Sequence, residues 1–139
     1  MKLNHISSTE IILKKLEGKW WEIEEDLIIC CRLDVGVMYV TLKKGFQTDL
    51  GSVPKFAQSW INRANDNTLP FLLHDAGYTY GGFARYTWDK LLLDGLRLKG
   101  MGWFKAQCVH KAVSWFGESN FDNADVKKQM RVRLTWGHK

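Results

Sequence analysis

Hydrophobic and polar positions alternate along the first third of the chain, which is the pattern of strands that bury one face. Apolar side chains stand at every second position in the run Leu27, Ile29, Cys31, Leu33. Polar and glycine-containing turns follow near residues 34–36 and 43–45. Alternating β-branched and aromatic residues with turns between them predict an antiparallel β-meander over residues 20–50.

Beyond residue 54 the apolar positions recur at helical spacing. Pro70 suits the first turn of a helix that runs to about residue 80, and Gly81 and Gly82 end it. Thr87 is positioned to cap a second helix. A third helix has an inward stripe made of Trp103, Ala106, Val109, Val113 and Phe116. The helical core is therefore expected over residues 54–117, with a short helical piece at 57–61.

The N-terminal segment carries a different signal. Ser7 is followed three residues later by Glu10, which resembles a capping box. Ile11, Ile12 and Leu16 then stand at helical spacing. We therefore expect a short N-terminal helix within residues 1–19.

The basic end of the chain, residues 122–139, is either a strand or a docked arm. Its charge is +3, from five basic and two acidic residues, out of +5 for the whole chain. A solvated basic end is the simplest interpretation, although an anionic partner is an alternative. Together the segments predict an α+β fold, a small N-terminal antiparallel β-meander followed by a bundle of three to four helices, in a single domain over residues 1–139.

Composition narrows the class of protein. No stretch approaches the roughly 20 apolar residues needed to span a bilayer, and the N-terminus lacks the apolar run of a signal peptide. We therefore expect synthesis in the cytoplasm. The three cysteines, with two adjacent, fit neither a disulfide framework nor a zinc site. Nucleic acid is not favoured as a partner because basic and aromatic residues do not interleave on a predicted strand.

Titratable side chains lie in the most hydrophobic part of the chain. His74 and Asp75 are adjacent in a helical run, and Tyr78 follows one turn after His74. A histidine base needs an acceptor for its other ring nitrogen. Asp89, on the next helix, is the first candidate, and Asp94 is the second. Because buried polar groups are costly unless they satisfy each other or bind something, the group predicts a catalytic site or a fixed polar network.

Simpler interpretations exist for the separate residues. His74 alone is as easily a core histidine bonded to backbone, and Asp89 in a first helical turn stabilises the helix dipole without further function. Asp49 and Gly51, on a tight loop, can present oxygen atoms to a hard cation. An Asx turn followed by Ser52 as a helix cap explains the same loop equally well.

Two motifs resemble a known family. Residues 45–54 read Gly-Phe-Gln-Thr-Asp-Leu-Gly-Ser-Val-Pro, and His74-Asp75-x-x-Tyr78 and Asp89 follow. This order, over about residues 39–121, resembles a family of bacteriophage and prophage proteins of unknown function. Gly51 and Trp88 stand where that family usually has alanine, and neither change removes a functional group.

The His-Asp-x-x-Tyr helix is also similar to the core of phospholipase A2. That resemblance implies that His74 activates water, that Asp89 orients His74 and that Tyr78 supports Asp89. It also implies Ca²⁺ ligands in Asp75 and in the loop containing Asp49 and Gly51. No organic cofactor is implied. The glycine-rich calcium loop is not recognisable, and the interval from His74 to Asp89 is shorter than usual.

Two functions are therefore expected as alternatives. The first is a phage-encoded, metal-assisted hydrolase, associated with the virion tail or neck, that acts on a host-envelope component such as phospholipid. The second is a non-catalytic tail, neck or baseplate protein in which the same residues form a fixed buried network. The expected partners are host-envelope lipid for the first function and other phage structural proteins for the second. The expected location is the host cytoplasm when the protein is made, and the virion for a virion-associated protein. The sequence does not indicate the oligomeric state.

Overall fold

The structure is a computed structural model that describes residues 1–18, 20–48, 68–116 and 126–137. Strands come first, three long helices follow, and one strand returns at the end. The elements are β1 Leu3–Ser8, β2 Leu13–Lys15, β3 Trp21–Ile23, β4 Leu27–Leu33, β5 Gly36–Leu42, β6 Gln47–Thr48, α1 Thr68–Tyr80, α2 Arg85–Leu98, α3 Trp103–Phe116, α4 Val126–Gln129 and β7 Val132–Gly137. The predicted α+β class, with an antiparallel meander before the helices, is confirmed.

The larger sheet is built around the β4–β5 hairpin. Its order is β1-β4-β5-β7, with every pair antiparallel. Side chains alternate as predicted, because Ile29 and Cys31 of β4 and Met38 and Val40 of β5 are buried while their neighbours face outward or are partly covered. A smaller second sheet has the strand order β2-β3-β6. One buried face of the large sheet is thus available to the helices.

The helices form a layer on that face. α1 and α2 both contact the sheet, α1 packs on α2, and α3 packs on α2. Large apolar side chains fill the space between the layers, including Phe71, Trp88 and Leu92, none of which is exposed. Gly81, with a φ of +78°, follows the last residue of α1 and permits the sharp exit toward α2.

The predicted N-terminal helix is wrong, because residues 3–8 and 13–15 are strands. β1 pairs with β4 and buries Leu3 and Ile6. In the expected capping box, Thr9 instead binds the sheet: its Oγ1 accepts from the Ile28 amide at 3.0 Å, and its own amide donates to the Ile28 carbonyl at 3.1 Å. Pairing with a distant strand therefore outweighed the local helical signal.

Three smaller expectations are corrected or narrowed. α2 begins at Arg85 after Ala84, without a side-chain cap, so Thr87 lies inside the helix. The strand alternative for the basic end is confirmed by β7, which becomes the fourth strand of the large sheet. Ala106, Val109 and Val113 face inward as predicted, but Trp103 is 63% exposed. The piece expected at residues 57–61 and the side chain of residue 116 lie outside the described part of the chain.

Candidate functional site

The site depends on a close approach between α1 and α2. Gly77 lies where the two helices meet: a Cβ at this position would be 2.1 Å from Cδ2 of Trp88. The absence of a side chain therefore lets the Trp88 indole pack directly on the α1 backbone. Asp89, the next residue of α2, is carried toward His74 and Tyr78, which lie on either side of Gly77 in α1.

His74 and Asp89 form the centre of the site. The His74 Nε2 and Asp89 Oδ1 atoms are 2.7 Å apart, and the two side chains are only 3% and 2% exposed. Asp89 is thus the predicted partner, and Asp94 is not: the Asp94 carboxylate accepts from the Leu3 amide at 3.1 Å and from Lys90 Nζ at 2.7 Å. Since α2 begins at Arg85, Asp89 also lies beyond the first turn, which removes the helix-dipole explanation.

Two hydroxyl groups complete the hydrogen bonding of Asp89. Tyr78 donates its hydroxyl to Oδ1 in a short hydrogen bond, and Ser114 Oγ donates to Oδ2 at 3.2 Å. The Tyr78 ring also packs against the His74 imidazole, with ring centroids 4.1 Å apart and the ring planes tilted by 40°. Three donors therefore converge on one buried carboxylate, which is the usual way in which a buried charge is tolerated.

The electrostatics favour an ionised Asp89. Burial by itself raises the pKa of the Asp89 carboxyl, but hydrogen bonds from His74, Tyr78 and Ser114 outweigh it, so the pKa lies below its ordinary value. Burial and the hydrogen bond to Asp89 both raise the pKa of the Tyr78 hydroxyl. At neutral pH Asp89 is therefore an anion and Tyr78 keeps its proton as a donor.

This arrangement fixes the tautomer of the imidazole. Because the Asp89 carboxylate can only accept, the proton of neutral His74 lies on Nε2 and the lone pair lies on Nδ1. Within the described residues, Nδ1 of His74 is buried and has no hydrogen-bond partner. The network thus has the chemistry of an oriented base: one nitrogen is held by a carboxylate and the other is able to accept a proton.

Asp75 points into a different environment from His74. Lys128 Nζ, from α4, lies 3.2 Å from Oδ1 and 3.5 Å from Oδ2 of Asp75. The same ammonium group is 5.0 Å from the centre of the Phe46 ring and 5.9 Å from that of Trp20. These distances are those of a partly buried ion pair with cation–π contacts. The C-terminal part of the chain is therefore tied to the helix that carries His74.

The residues expected to bind calcium are only partly described. Asp49 and Gly51 lie outside the described residues. Asp75 faces the Lys128 ammonium group, and in the described ranges no three His, Cys, Asp or Glu side chains are grouped to hold a metal. Calcium takes six to eight oxygen ligands. Backbone carbonyls and water are among those ligands, and calcium binding stays a prediction.

Ser114, Arg85 and Lys128 were not predicted from the sequence. Ser114 is a lone hydroxyl in the apolar helix α3, and such a polar interruption was the available signal. Arg85 Nη1 donates to the Ser114 carbonyl at 2.6 Å, which ties the start of α2 to the end of α3. Nothing in the local sequence pointed to Lys128, because its partner Asp75 is 53 residues away.

The fold and the site together define a class: an α+β protein in which antiparallel strands support a helical layer with a buried His-Asp-Tyr-Ser network. A family model matches residues 21–113, about two thirds of the chain, and the chain therefore belongs to the family described as "Protein of unknown function (DUF1353)". The match covers His74, Asp75, Tyr78 and Asp89 and stops one residue before Ser114.

The other comparisons add no relative. Searches of curated proteins and of solved structures gave no match to this chain. Within the residues that the structure describes, no helix has the length and apolar character to cross a membrane. The function must therefore be argued from the site.

Proposed function

We propose that this protein is a hydrolase in which His74 activates a water molecule. The observation that carries the proposal is the orientation of the imidazole: Nε2 lies 2.7 Å from the Asp89 carboxylate, and Nδ1 has no partner among the described residues. A carboxylate that fixes the tautomer and stabilises the imidazolium is what a general base requires. Tyr78 and Ser114 hold that carboxylate in place.

The proposed reaction is ester hydrolysis. Nδ1 of His74 takes a proton from water while the water oxygen attacks the ester carbonyl carbon. The imidazolium that forms is stabilised by the ionised Asp89. His74 then returns the proton to the alcohol oxygen as the carbon–oxygen bond breaks, so that a carboxylic acid and an alcohol leave. No charge is left on the protein at the end of the cycle.

A phospholipid of a host envelope is the proposed substrate. The support is the resemblance of His74-Asp75-x-x-Tyr78 and Asp89 to the phospholipase A2 core, together with the network found around them. The phage origin, the location in a virion and the use of Ca²⁺ rest on resemblance as well. Because Lys128 pairs with Asp75, the assay compares rates with and without calcium to test whether the ion is required.

The test is fatty-acid release from mixed phospholipid vesicles, with added calcium and with a chelator. His74→Gln keeps an amide donor for Asp89 but removes the basic nitrogen, so the rate is expected to fall by about 100-fold or more. Tyr78→Phe keeps the base and should lower the rate less. The matched control is His5→Gln, which changes an exposed histidine of β1.

Equal background rates for the wild-type protein and His74→Gln, in both calcium and chelator, would eliminate the hydrolase. Rates lost equally in His5→Gln would also count against the assigned role of His74. Circular dichroism of each variant separates loss of the base from loss of the fold.

A second function is supported by the burial of the network. His74 and Asp89 are almost fully inaccessible, as expected for side chains that only fix the packing of α1 on α2 and α3. On this alternative the protein is a non-catalytic tail, neck or baseplate component. His74→Asn then lowers the melting temperature and impairs assembly, and the wild-type protein turns over no ester in either condition.

A further inference from the structure

An exposed apolar surface lies at the end of the helical layer, where α2 passes into α3. Leu98, Trp103 and Phe104 are 45%, 63% and 70% exposed. We call these three residues the aromatic corner. Single exposed apolar residues are common on protein surfaces, but three large ones within seven residues of the chain are typical of an interaction site.

The charged side chains of the segment that carries the aromatic corner have one sign. Residues 95–117 contain no acidic side chain and four basic ones: Arg97, Lys99, Lys105 and Lys111. Arg97, Lys105 and Lys111 are exposed, and Lys99 is half-buried. Arg97 Nη1 donates to the Met101 carbonyl at 2.9 Å, which holds the guanidinium at the α2–α3 connection. This composition favours an occupant that is both apolar and anionic.

We propose that the aromatic corner docks on the surface of a bilayer that contains anionic phospholipid. Trp and Phe side chains favour the boundary between headgroups and acyl chains, and basic residues around them are attracted to anionic headgroups. Trp103 and Phe104 begin α3 and enter the lipid together. The long side chains of the basic residues reach back to the headgroups.

The docking surface is separate from the buried network. Asp89 lies nine residues before Leu98 on α2, about 13 Å along the helix axis, and Ser114 lies 11 residues after Trp103 on α3, about 16 Å. Substitutions in the aromatic corner should therefore leave the His74 network intact. The proposal concerns binding alone and does not depend on the hydrolase proposal.

The test is flotation of the full chain with vesicles of ether-linked phospholipid, which hydrolysis at an ester cannot alter. Vesicles of phosphatidylcholine alone are compared with vesicles that also contain phosphatidylglycerol. Trp103→Ala/Phe104→Ala should weaken binding to the anionic vesicles by about tenfold or more. Lys99→Gln and Lys111→Gln should each weaken it by about fivefold, and added salt should weaken it further.

Two variants serve as matched controls. Tyr86→Ala removes an aromatic side chain that is 76% exposed at the opposite end of α2. Lys14→Gln removes an exposed positive charge from β2. Both should bind anionic vesicles as the wild-type protein does. Circular dichroism and the melting temperature confirm that each variant is folded.

Binding that needs phosphatidylglycerol and is lost in the aromatic double variant supports the proposal. Three results overturn it: no binding to anionic vesicles, equal binding to neutral ones, or full binding by Trp103→Ala/Phe104→Ala. Binding to duplex DNA that competes with vesicles and needs the same two rings would assign the surface to nucleic acid instead.

Discussion

Replacing Gly77 by alanine tests how the contact between α1 and α2 builds the site. The added Cβ would lie 2.1 Å from Cδ2 and 2.2 Å from Cε3 of Trp88, whereas carbon atoms in contact are about 3.5–4.0 Å apart. Trp88 is fully buried, and its Nε1 donates to the Gly81 carbonyl at 3.0 Å. The ring cannot move aside without losing this bond, so the helices must separate.

The expected change in the free energy of unfolding follows from two opposing contributions. Overpacking of this severity costs about 3 kcal/mol, and the higher helix propensity of alanine returns about 1 kcal/mol. The net loss in the free energy of unfolding is about 2 kcal/mol. For a chain of 139 residues this corresponds to a fall of about 7 °C in the melting temperature. Because Asp89 follows Trp88, the same separation should lengthen its hydrogen bond to His74.

The assay is thermal unfolding followed by circular dichroism, with Gly102→Ala as the control. The Cβ added at position 102 meets no atom within 4 Å, so that variant should unfold close to the wild-type temperature. A Gly77→Ala protein that melts within about 2 °C of the wild type would refute the argument, because a shift that small would mean the close approach is not present in the folded protein.

Two further predictions concern charge. Because the pKa of Asp89 is lowered by folding, its ionised form stabilises the protein above about pH 4, and this contribution is lost as the pH falls through the lowered pKa. The difference in the free energy of unfolding between the wild-type protein and Asp89→Asn, measured by urea unfolding, should therefore shrink in acid. A difference that stays constant with pH would contradict the assignment. Lys128→Met removes the ammonium group beside Asp75 and should lower the free energy of unfolding by about 1–2 kcal/mol. The control is Lys43→Met, which breaks a half-exposed pair and should change the free energy of unfolding by less than about 0.5 kcal/mol. Equal effects of the two variants would contradict the partial burial of the Lys128–Asp75 pair.

The helical half of the fold was predictable because its signals are local. Pro70 and the glycine pair after residue 80 bound α1 to within two residues. The apolar stripe of α3 was also right in its interior. The predicted stripe was wrong at Trp103. Periodicity gives the direction in which a side chain points from the helix axis, but it does not show where the neighbouring helix ends.

The N-terminal segment shows the opposite case. The Ser7 to Glu10 pattern is a valid local signal for a helix, yet the segment forms strands. β1 pairs with β4, with one register shift between Leu3 and His5, and buries Leu3 and Ile6, while β2 pairs with β3. The β1–β4 pairing joins residues about 25 apart and is not encoded in any short window.

The sequence by itself determined that an antiparallel meander precedes the helices and that His74, Asp75 and Tyr78 share one helix, because both follow from spacing along the chain. It left Asp89 and Asp94 as alternative partners of His74. Only the tertiary structure chose Asp89, gave Asp94 to the β1 backbone, and added Ser114 and Lys128. The reason is that a hydrogen bond between distant residues depends on how closely two helices approach, and here that distance is set by Gly77 against Trp88.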